Sequence, residues 1–245
     1  MSANEQNSAG VALIFGGSRG IGAAIATRLA QAGYRVALTY VSRPDKAHDV
    51  AATIAAEGGE AVAIEADSSD PGAIRAAVAG TIERFGRLDV AVVNAGVLRL
   101  GTIDELSLED LDLTLAVNVR GVFLAIQAAA TEMQDGGRII TIGSNAAKHV
   151  VRGSSIYAMS KAAVATMVKG IALDLAPRGI TVNNIQPGPT ETDMTASMVS
   201  DLAAMVPIGR VGQGAEIAEL ALYLAGPQSG YMTGSSLTID GGFAL

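Results

Sequence analysis

Seven short β-branched and apolar runs recur along the chain: VALIF (11–15), RVALTYV (35–41), AVAIE (61–65), LDVAVV (88–93), RIITIG (138–143), ITVNNIQ (180–186) and SLTID (236–240). Between them lie longer, Ala-rich segments with helical spacing, at about 20–32, 45–57, 71–85, 107–134, 154–176 and 214–225. Most of the short runs do not alternate polar with apolar, which is the pattern of strands buried on both faces. Strand, helix, strand in regular order requires right-handed crossovers and a parallel sheet with helices on either side. The expected fold is therefore α/β: a doubly wound, Rossmann-like, predominantly parallel seven-stranded sheet in a single domain over 10–245. Helix ends are readable in places. Pro44 and Pro71 suit first turns, Ser107 with Asp110 resembles a capping box, and Pro177 with Gly179 stops the helix that begins near 154.

Composition narrows the function classes. Hydrophobic residues make up 49% against 17% charged, enough for a filled core, while aromatics are 4% and favour close packing of small side chains. No run reaches the roughly eighteen uncharged apolar residues of a membrane span. The first nine residues, MSANEQNSA, lack a basic start and an apolar stretch, so they read as a mobile tail and not as a signal peptide. With no Cys there is neither a disulfide framework nor thiolate chemistry, which fits a cytoplasmic location. A net charge of −7 argues against a nucleic-acid partner.

Ligands of doubly wound sheets bind beyond the carboxyl ends of the strands, and several strand ends here deliver small or polar residues. GGSRGIG (16–22) follows the first strand and runs into a helix. Gly16, Gly20 and Gly22 permit a tight turn and close approach to a pyrophosphate at a helix N-terminus. Asp67 follows the third strand, placed either to reach an adenine or to cap the next helix. NAG (94–96) follows the fourth, Ser144 the fifth, and Pro187-Gly188 the sixth. The segment SIYAMSK (155–161) puts Tyr157 and Lys161 on one helix face, at i and i+4. Packing alone explains such a pair, because a phenol and a lysine both bury their stems and keep their tips wet. Chemistry explains it too: an ammonium about 4 Å from a phenolate, at an effective dielectric of about 20, gains about 4 kcal/mol. That is enough to lower a tyrosine pKa by up to about three units.

Taken together, GGSRGIG, NAG, Asn118, Ser144, YAMSK and PGPTET, in this order from Val11 to Gly242, resemble the short-chain dehydrogenases/reductases in their compact single-domain branch. The sequence departs at Val93, where an asparagine is usual, and at Ser68, where a small aliphatic is usual. The resemblance implies a catalytic tetrad of Asn118, Ser144, Tyr157 and Lys161. Tyr157 would be the general acid and base, Lys161 would lower its pKa and hold the nicotinamide ribose, and Ser144 would bond the substrate oxygen. Asn118 would hold a water connecting Lys161 to solvent. Cofactor contacts are expected from Gly16, Ser18, Arg19, Gly20, Ile21, Gly22, Tyr40, Ser42, Arg43, Asp67, Ser68, Asn94, Ala95, Gly96, Pro187, Gly188, Thr190 and Thr192, besides Tyr157 and Lys161.

The cofactor expected is NADP(H). An NAD site usually places an acid after the second strand, and Tyr40, Val41, Ser42 and Arg43 stand there, with no acid before Asp45. Arg19 and Arg43 would bracket a 2′-phosphate. The activity expected is interconversion of a ketone or aldehyde with an alcohol. The alternatives are a 3-oxoacyl-acyl-carrier-protein reductase, disfavoured by Asp135 in MQDGG although Arg138 and Arg178 remain, and a nucleotide-sensing regulator on the same fold. His149 reads as a rim residue and His48 as solvated, and Glu191 with Asp193 completes no metal site. Met194, Met198 and Met205 fall where the family places a substrate lid, and plain packing explains them equally well. The apolar helix at 154–176, with the one at 107–134, implies a homo-oligomer, expected to be a tetramer.

Overall fold

In a computed structural model, residues 10–193 and 195–245 are described; the expected tail 1–9 and Met194 lie outside them. The chain runs β1 (Gly10–Phe15), α1 (Gly20–Gln31), β2 (Tyr34–Tyr40), α2 (Pro44–Ala56), β3 (Ala61–Glu65), α3 (Pro71–Phe85) and β4 (Val90–Val93). It continues through α4 (Leu108–Leu115), a π-helical segment (Ala116–Gly121), α5 (Val122–Glu132), β5 (Arg138–Ile142), α6 (Ser155–Leu175), β6 (Thr181–Pro187), α7 (Val199–Met205), α8 (Gly214–Ala225) and β7 (Ser236–Ile239). All six strand pairings are parallel, in the order β3-β2-β1-β4-β5-β6-β7. The order reverses between β1 and β4, and that crevice is where such sheets take a ligand.

Alternate strand residues feed two cores. Val11, Leu13, Phe15, Ala91, Val93 and Ile139 face α3, α5 and α6. Ala12, Ile14, Val36, Leu38, Val92 and Ile140 face α1, α2 and α8. Each such aliphatic contributes about 1.5–3 kcal/mol when fully buried, and burial on both faces explains why the runs do not alternate. The helix ends form as the sequence requires. Pro44 and Pro71 open α2 and α3, Ser107 and Asp110 make the reciprocal capping box, and Gly179 takes φ 63° behind the turn at Pro177.

Two departures stand out. The stretch expected as one helix, 107–134, is broken by the π segment, which inserts a wider turn and brings Asn118 and Gly121 inward. A Cβ on Gly121 would lie 2.2 Å from the Ser68 carbonyl oxygen. The segment after PGPTET forms α7, for which no helix was expected. Helices spanning Leu108–Glu132 and Ser155–Arg178 also reach the length and hydropathy of a membrane span, yet 50% and 33% of their most apolar windows are buried inside the fold. Val164, Val168 and Ala172 of α6 pack against the sheet; Leu173 and Met159 face outward.

The close approach at Gly121 is a backbone contact and cannot yield as a flexible side chain would. Gly121→Ala should cost about 1–3 kcal/mol, read as a Tm lower by several degrees. Gly80→Ala in α3, where the nearest atom would be 3.8 Å away, should be neutral or slightly stabilising. Equal melting of the two variants would remove the argument.

Candidate active site

The glycine turn between β1 and α1 is tied down by its neighbours. Gly16 N donates to Thr39 Oγ1 at 2.9 Å, and Asn94 Nδ2 donates to the Gly16 carbonyl at 2.6 Å. A Cβ on Gly22 would sit 2.1 Å from that carbonyl and 2.5 Å from Asn94 Nδ2, so α1 begins pressed against the turn. Gly16 itself takes φ 76° with Ala95 against it. Across the crevice, the Thr192 side chain lies where a Cβ on Gly20 would meet it at 3.3 Å. Thr190, 5% exposed, bonds the Gly188 carbonyl at 3.0 Å and holds this loop closed behind Pro187. Ser18 and Ile21 are half-buried, and Ile21 packs against the α1–α8 core.

The second half of the site assembles on α6. Lys161, 6% exposed, donates from Nζ to the Ile142 carbonyl at 3.0 Å and lies 5.7 Å from the centre of the Tyr157 ring. Ser144, just past the end of β5, accepts from Ala146 N at 3.1 Å and acts on the Tyr157 phenol through its hydroxyl. Asn118, fully buried in the π segment, accepts from Val97 N at 2.8 Å and donates to the Val97 carbonyl at 2.9 Å and to Ser160 Oγ at 3.1 Å. Ser160 in turn donates to the Tyr157 carbonyl at 2.7 Å. A Cβ on Gly96 would come within 3.4 Å of Asn118 Oδ1 and 3.5 Å of Lys161 Nζ, so the absent side chain leaves that ammonium reachable.

The electrostatics differ from the expectation that Lys161 lowers the Tyr157 pKa. Burial pushes the Tyr157 phenol above its ordinary value, and the Ser144 hydroxyl pulls the other way. Burial also lowers Lys161 to about 8. Burial thus disfavours the charged form of both groups, although at about 8 Lys161 still carries its proton at neutral pH. The lysine, directed at a backbone carbonyl, is not what tunes the phenol in the chain alone. Asn118 spends its two amide hydrogens and one lone pair on Val97 and Ser160, so its side chain clamps the loop after β4 to α6.

The expected phosphate bracket is only half open. Arg43 forks onto Asp45 at 3.0 and 2.7 Å, with Asp193 nearby, so its guanidinium already has a carboxylate partner. Arg19 is exposed and has no such partner among the described residues. Ser42 is exposed between them, and Tyr40 packs its ring 6.2 Å from that of His48. Asp67 is not the cap of α3; it accepts from Ser69 N at 2.7 Å, and Asp70 caps the helix through Gly72 N at 2.8 Å. Ser68 is buried, with its carbonyl against Gly121. Glu191 bonds Gln213 at 2.9 Å. His149 is exposed as expected, but its ring meets Phe243 edge-on at 5.4 Å. Thr39, Ser160 and Asp240 were not singled out from the sequence; only Ser160, inside YAMSK, carried a local signal.

A glycine-bound crevice at the switch point, beside a buried tyrosine, lysine and serine, defines an α/β protein of the dinucleotide-binding type. A family model described as enoyl-(acyl carrier protein) reductase matches residues 16–244. A short-chain dehydrogenase/reductase from Serratia marcescens BCRC 10948 is 52% identical, with a TM-score of 0.94 over 98% of this chain and 99% of that one. A short chain dehydrogenase from Burkholderia cenocepacia J2315, solved in complex with NADP, is 46% identical with a TM-score of 0.94, over 98% and 99% of the two chains. The cyclic-di-GMP-binding biofilm dispersal mediator protein of Escherichia coli (strain K12) is 42% identical over 94% of this chain and 95% of its own. The chain belongs to the short-chain dehydrogenase/reductase family.

Because the folded pKa of Lys161 lies near 8 and the ordinary value is 10.5, the unfolded chain binds the extra proton between them, and stability rises with pH across that window. Relative to Lys161→Met, the wild type should gain about 2 kcal/mol between pH 8 and about pH 10, at about 1.4 kcal/mol per unit. Urea unfolding of both proteins at several pH values reads this directly. Parallel curves would mean that the ammonium is not desolvated.

Proposed function

We propose that this chain is an NADP(H)-dependent oxidoreductase that interconverts a ketone or aldehyde with the corresponding alcohol. The observation that carries the proposal is the convergence of Tyr157, Ser144 and Lys161 at the end of β5, beside the glycine turn. The residues present fit a dinucleotide: Gly16 and Gly20 take the positive φ that a tight turn needs, Gly22 lets α1 start directly against that turn, and Gly96 leaves the Lys161 ammonium reachable. When bound, the nicotinamide supplies the hydride, and the protein supplies position and electrostatics.

Tyr157 is protonated at neutral pH, and burial, by raising its pKa above the ordinary value, holds that proton more firmly. It therefore stands ready to donate to a carbonyl oxygen as negative charge grows there, and Ser144 donates a hydrogen bond to the same oxygen. Lys161, near 8, exchanges protons in the physiological range. Its ammonium holds the ribose hydroxyls and compensates charge left on the phenol. Asn118 acts one step back, holding Ser160 and thereby the Tyr157 backbone.

The NADP(H) preference rests on Arg19, whose charge is unpaired among the described residues, and on Arg43, which shares its guanidinium with Asp45. Against a carrier-bound acyl substrate stands the use of two arginines within the fold. Arg178 bonds Asp135 and the carbonyls of Ala130 and Met133, and Arg138 bonds those of Gly136 and Gly137. A 3-oxoacyl-acyl-carrier-protein reductase remains the alternative, and a panel of ketones, keto-esters and acyl thioesters separates the two. A nucleotide-sensing role, suggested by the cyclic-di-GMP-binding relative, gives no reason to bury Tyr157 and Lys161 together.

Tyr157→Phe should lower turnover at least about a hundredfold, since general acid catalysis contributes about 10²–10⁴-fold; cofactor affinity should be nearly unchanged. A smaller loss would remove Tyr157 from the acid role. The kcat/KM for NADPH should exceed that for NADH by at least about tenfold, as charge-assisted contacts of about 1.5–3 kcal/mol each imply. Arg19→Ala/Arg43→Ala should largely erase the ratio, and equal use of NADH by the wild type would defeat the assignment. The outward apolar faces of α5 and α6, with Phe123, Met159 and Leu173 exposed, support a two-fold paired homotetramer. Light scattering that found a stable monomer at micromolar concentration would refute it.

A further inference from the structure

The polypeptide after β7 does not trail away from the site. Asp240 Oδ1 accepts from Gly242 N at 3.0 Å, and Oδ2 accepts from Ala244 N at 2.9 Å, which folds residues 240–245 into a tight turn. Oδ2 also takes Asn145 Nδ2 at 3.3 Å. Asn145 is 7% exposed and follows Ser144 directly, and its carbonyl accepts from Lys148 N and His149 N, both at 2.9 Å. One carboxylate thus joins the C-terminal turn to the loop that carries the catalytic serine. The fold makes room for it: a Cβ on Gly188 would lie 2.4 Å from Asp240 Cβ.

The turn also presents an apolar surface. Phe243 meets the His149 ring edge-on at 5.4 Å. Cβ atoms on Gly241 and Gly242 would touch Val206 at 2.7 Å and Pro207 at 3.3 Å, so the turn is held between the end of α7 and the serine loop. Ile208, 66% exposed, lies 3.6 Å from where a Cβ on Gly241 would be, and Val150 and Met205, next in sequence to His149 and Val206, are 62% and 58% exposed.

We propose that the turn Asp240–Leu245 is a fixed wall of the substrate cleft, in which Asp240 positions the Ser144 loop and Phe243 selects carbonyl substrates bearing an apolar or aryl group. The proposal rests on the reductase reading above. Asp240 is a positioning residue, acting through Asn145. Its carboxylate is the right group because three N–H donors converge on it and an amide in its place would turn a donor toward one of them.

The experiment compares Asp240→Asn, Asn145→Ala and Phe243→Ala with the wild type, with NADPH, on an aryl ketone and a small polar ketone. Asp240→Asn should lower kcat/KM on both ketones by about tenfold or more, since displacement of a catalytic group is costly, with NADPH affinity by fluorescence titration unchanged. Amide hydrogen exchange at Ala146, His149 and Ala244 should quicken by at least about tenfold. Asn145→Ala leaves the C-terminal turn intact and should reproduce the kinetic loss if Asp240→Asn fails to fold. Phe243→Ala should raise KM about tenfold for the aryl ketone alone, with kcat preserved. It should also move the His149 imidazole NMR signal, one of two in the chain. Unchanged kinetics in folded Asp240→Asn and Asn145→Ala would overturn the positioning role. An unaltered aryl KM or an unmoved His149 signal would overturn the assignment of Phe243. If the wild type reduces no ketone, the reductase reading fails, while the exchange and NMR results still decide whether the wall exists.

Discussion

A lysine ammonium buried among small apolar side chains is expensive, and the site is organised around that expense. Removing such a charge from water costs several kcal/mol before any partner is found. Lys161 recovers part of it from one carbonyl, that of Ile142 at 3.0 Å, and sheds the remainder by lowering its pKa to about 8. The bond also fixes where α6 lies along β5, because Ile142 is the last residue of that strand. From that anchor Tyr157 falls one turn earlier on α6, against Ser144, and Ser160 falls beside Asn118. Displacing the lysine would therefore disturb register and chemistry together.

The parts of the fold that repeat locally were legible in the sequence. Strand and helix periods, proline starts and the Ser107–Asp110 box all act over a few residues, and each formed as expected. The π segment was not legible, since one extra residue per turn leaves no compositional mark; only the inward demands of Asn118 and Gly121 reveal it. The grouping of Ser144 with Tyr157 and Lys161 was legible, because Ser144 lies just past β5 and the other two share one face of α6, whose lysine bonds the end of that strand. Its electrostatics could not be read from spacing. An i, i+4 pair says which side chains share a face, but the Tyr157 pKa depends on how much water burial removes, and that overcame the expected pull of Lys161.

Local and long-range bonds misled in opposite ways at the cofactor end. Arg43 and Asp45 are two residues apart, and the ion pair that diverts the arginine was visible in RPD, although its geometry was not. Asp240 reaches Asn145 across most of the C-terminal half of the chain, and no motif links them. A low aromatic content had one further effect: alanine and glycine let α1, α6 and α8 lie close to the sheet, while the outward faces of long helices remained apolar enough to resemble membrane spans.

The strand order has a consequence for how the chain reaches this state. β1 lies inside the sheet, yet its two neighbours are made at different times: Ala12 pairs with Val36 in β2 and with Val90 in β4. The first three strands can form a local parallel unit soon after synthesis. In that unit β1 is an edge strand, unpaired on one side until β4 arrives. Such an edge is a template for the wrong strand as readily as for the right one. Closing it carries the loop entropy of a long crossover before any reward. Until β4 pairs, the open side of β1 is an edge of the kind that invites aggregation, on the same strand whose carboxyl end carries the glycine turn.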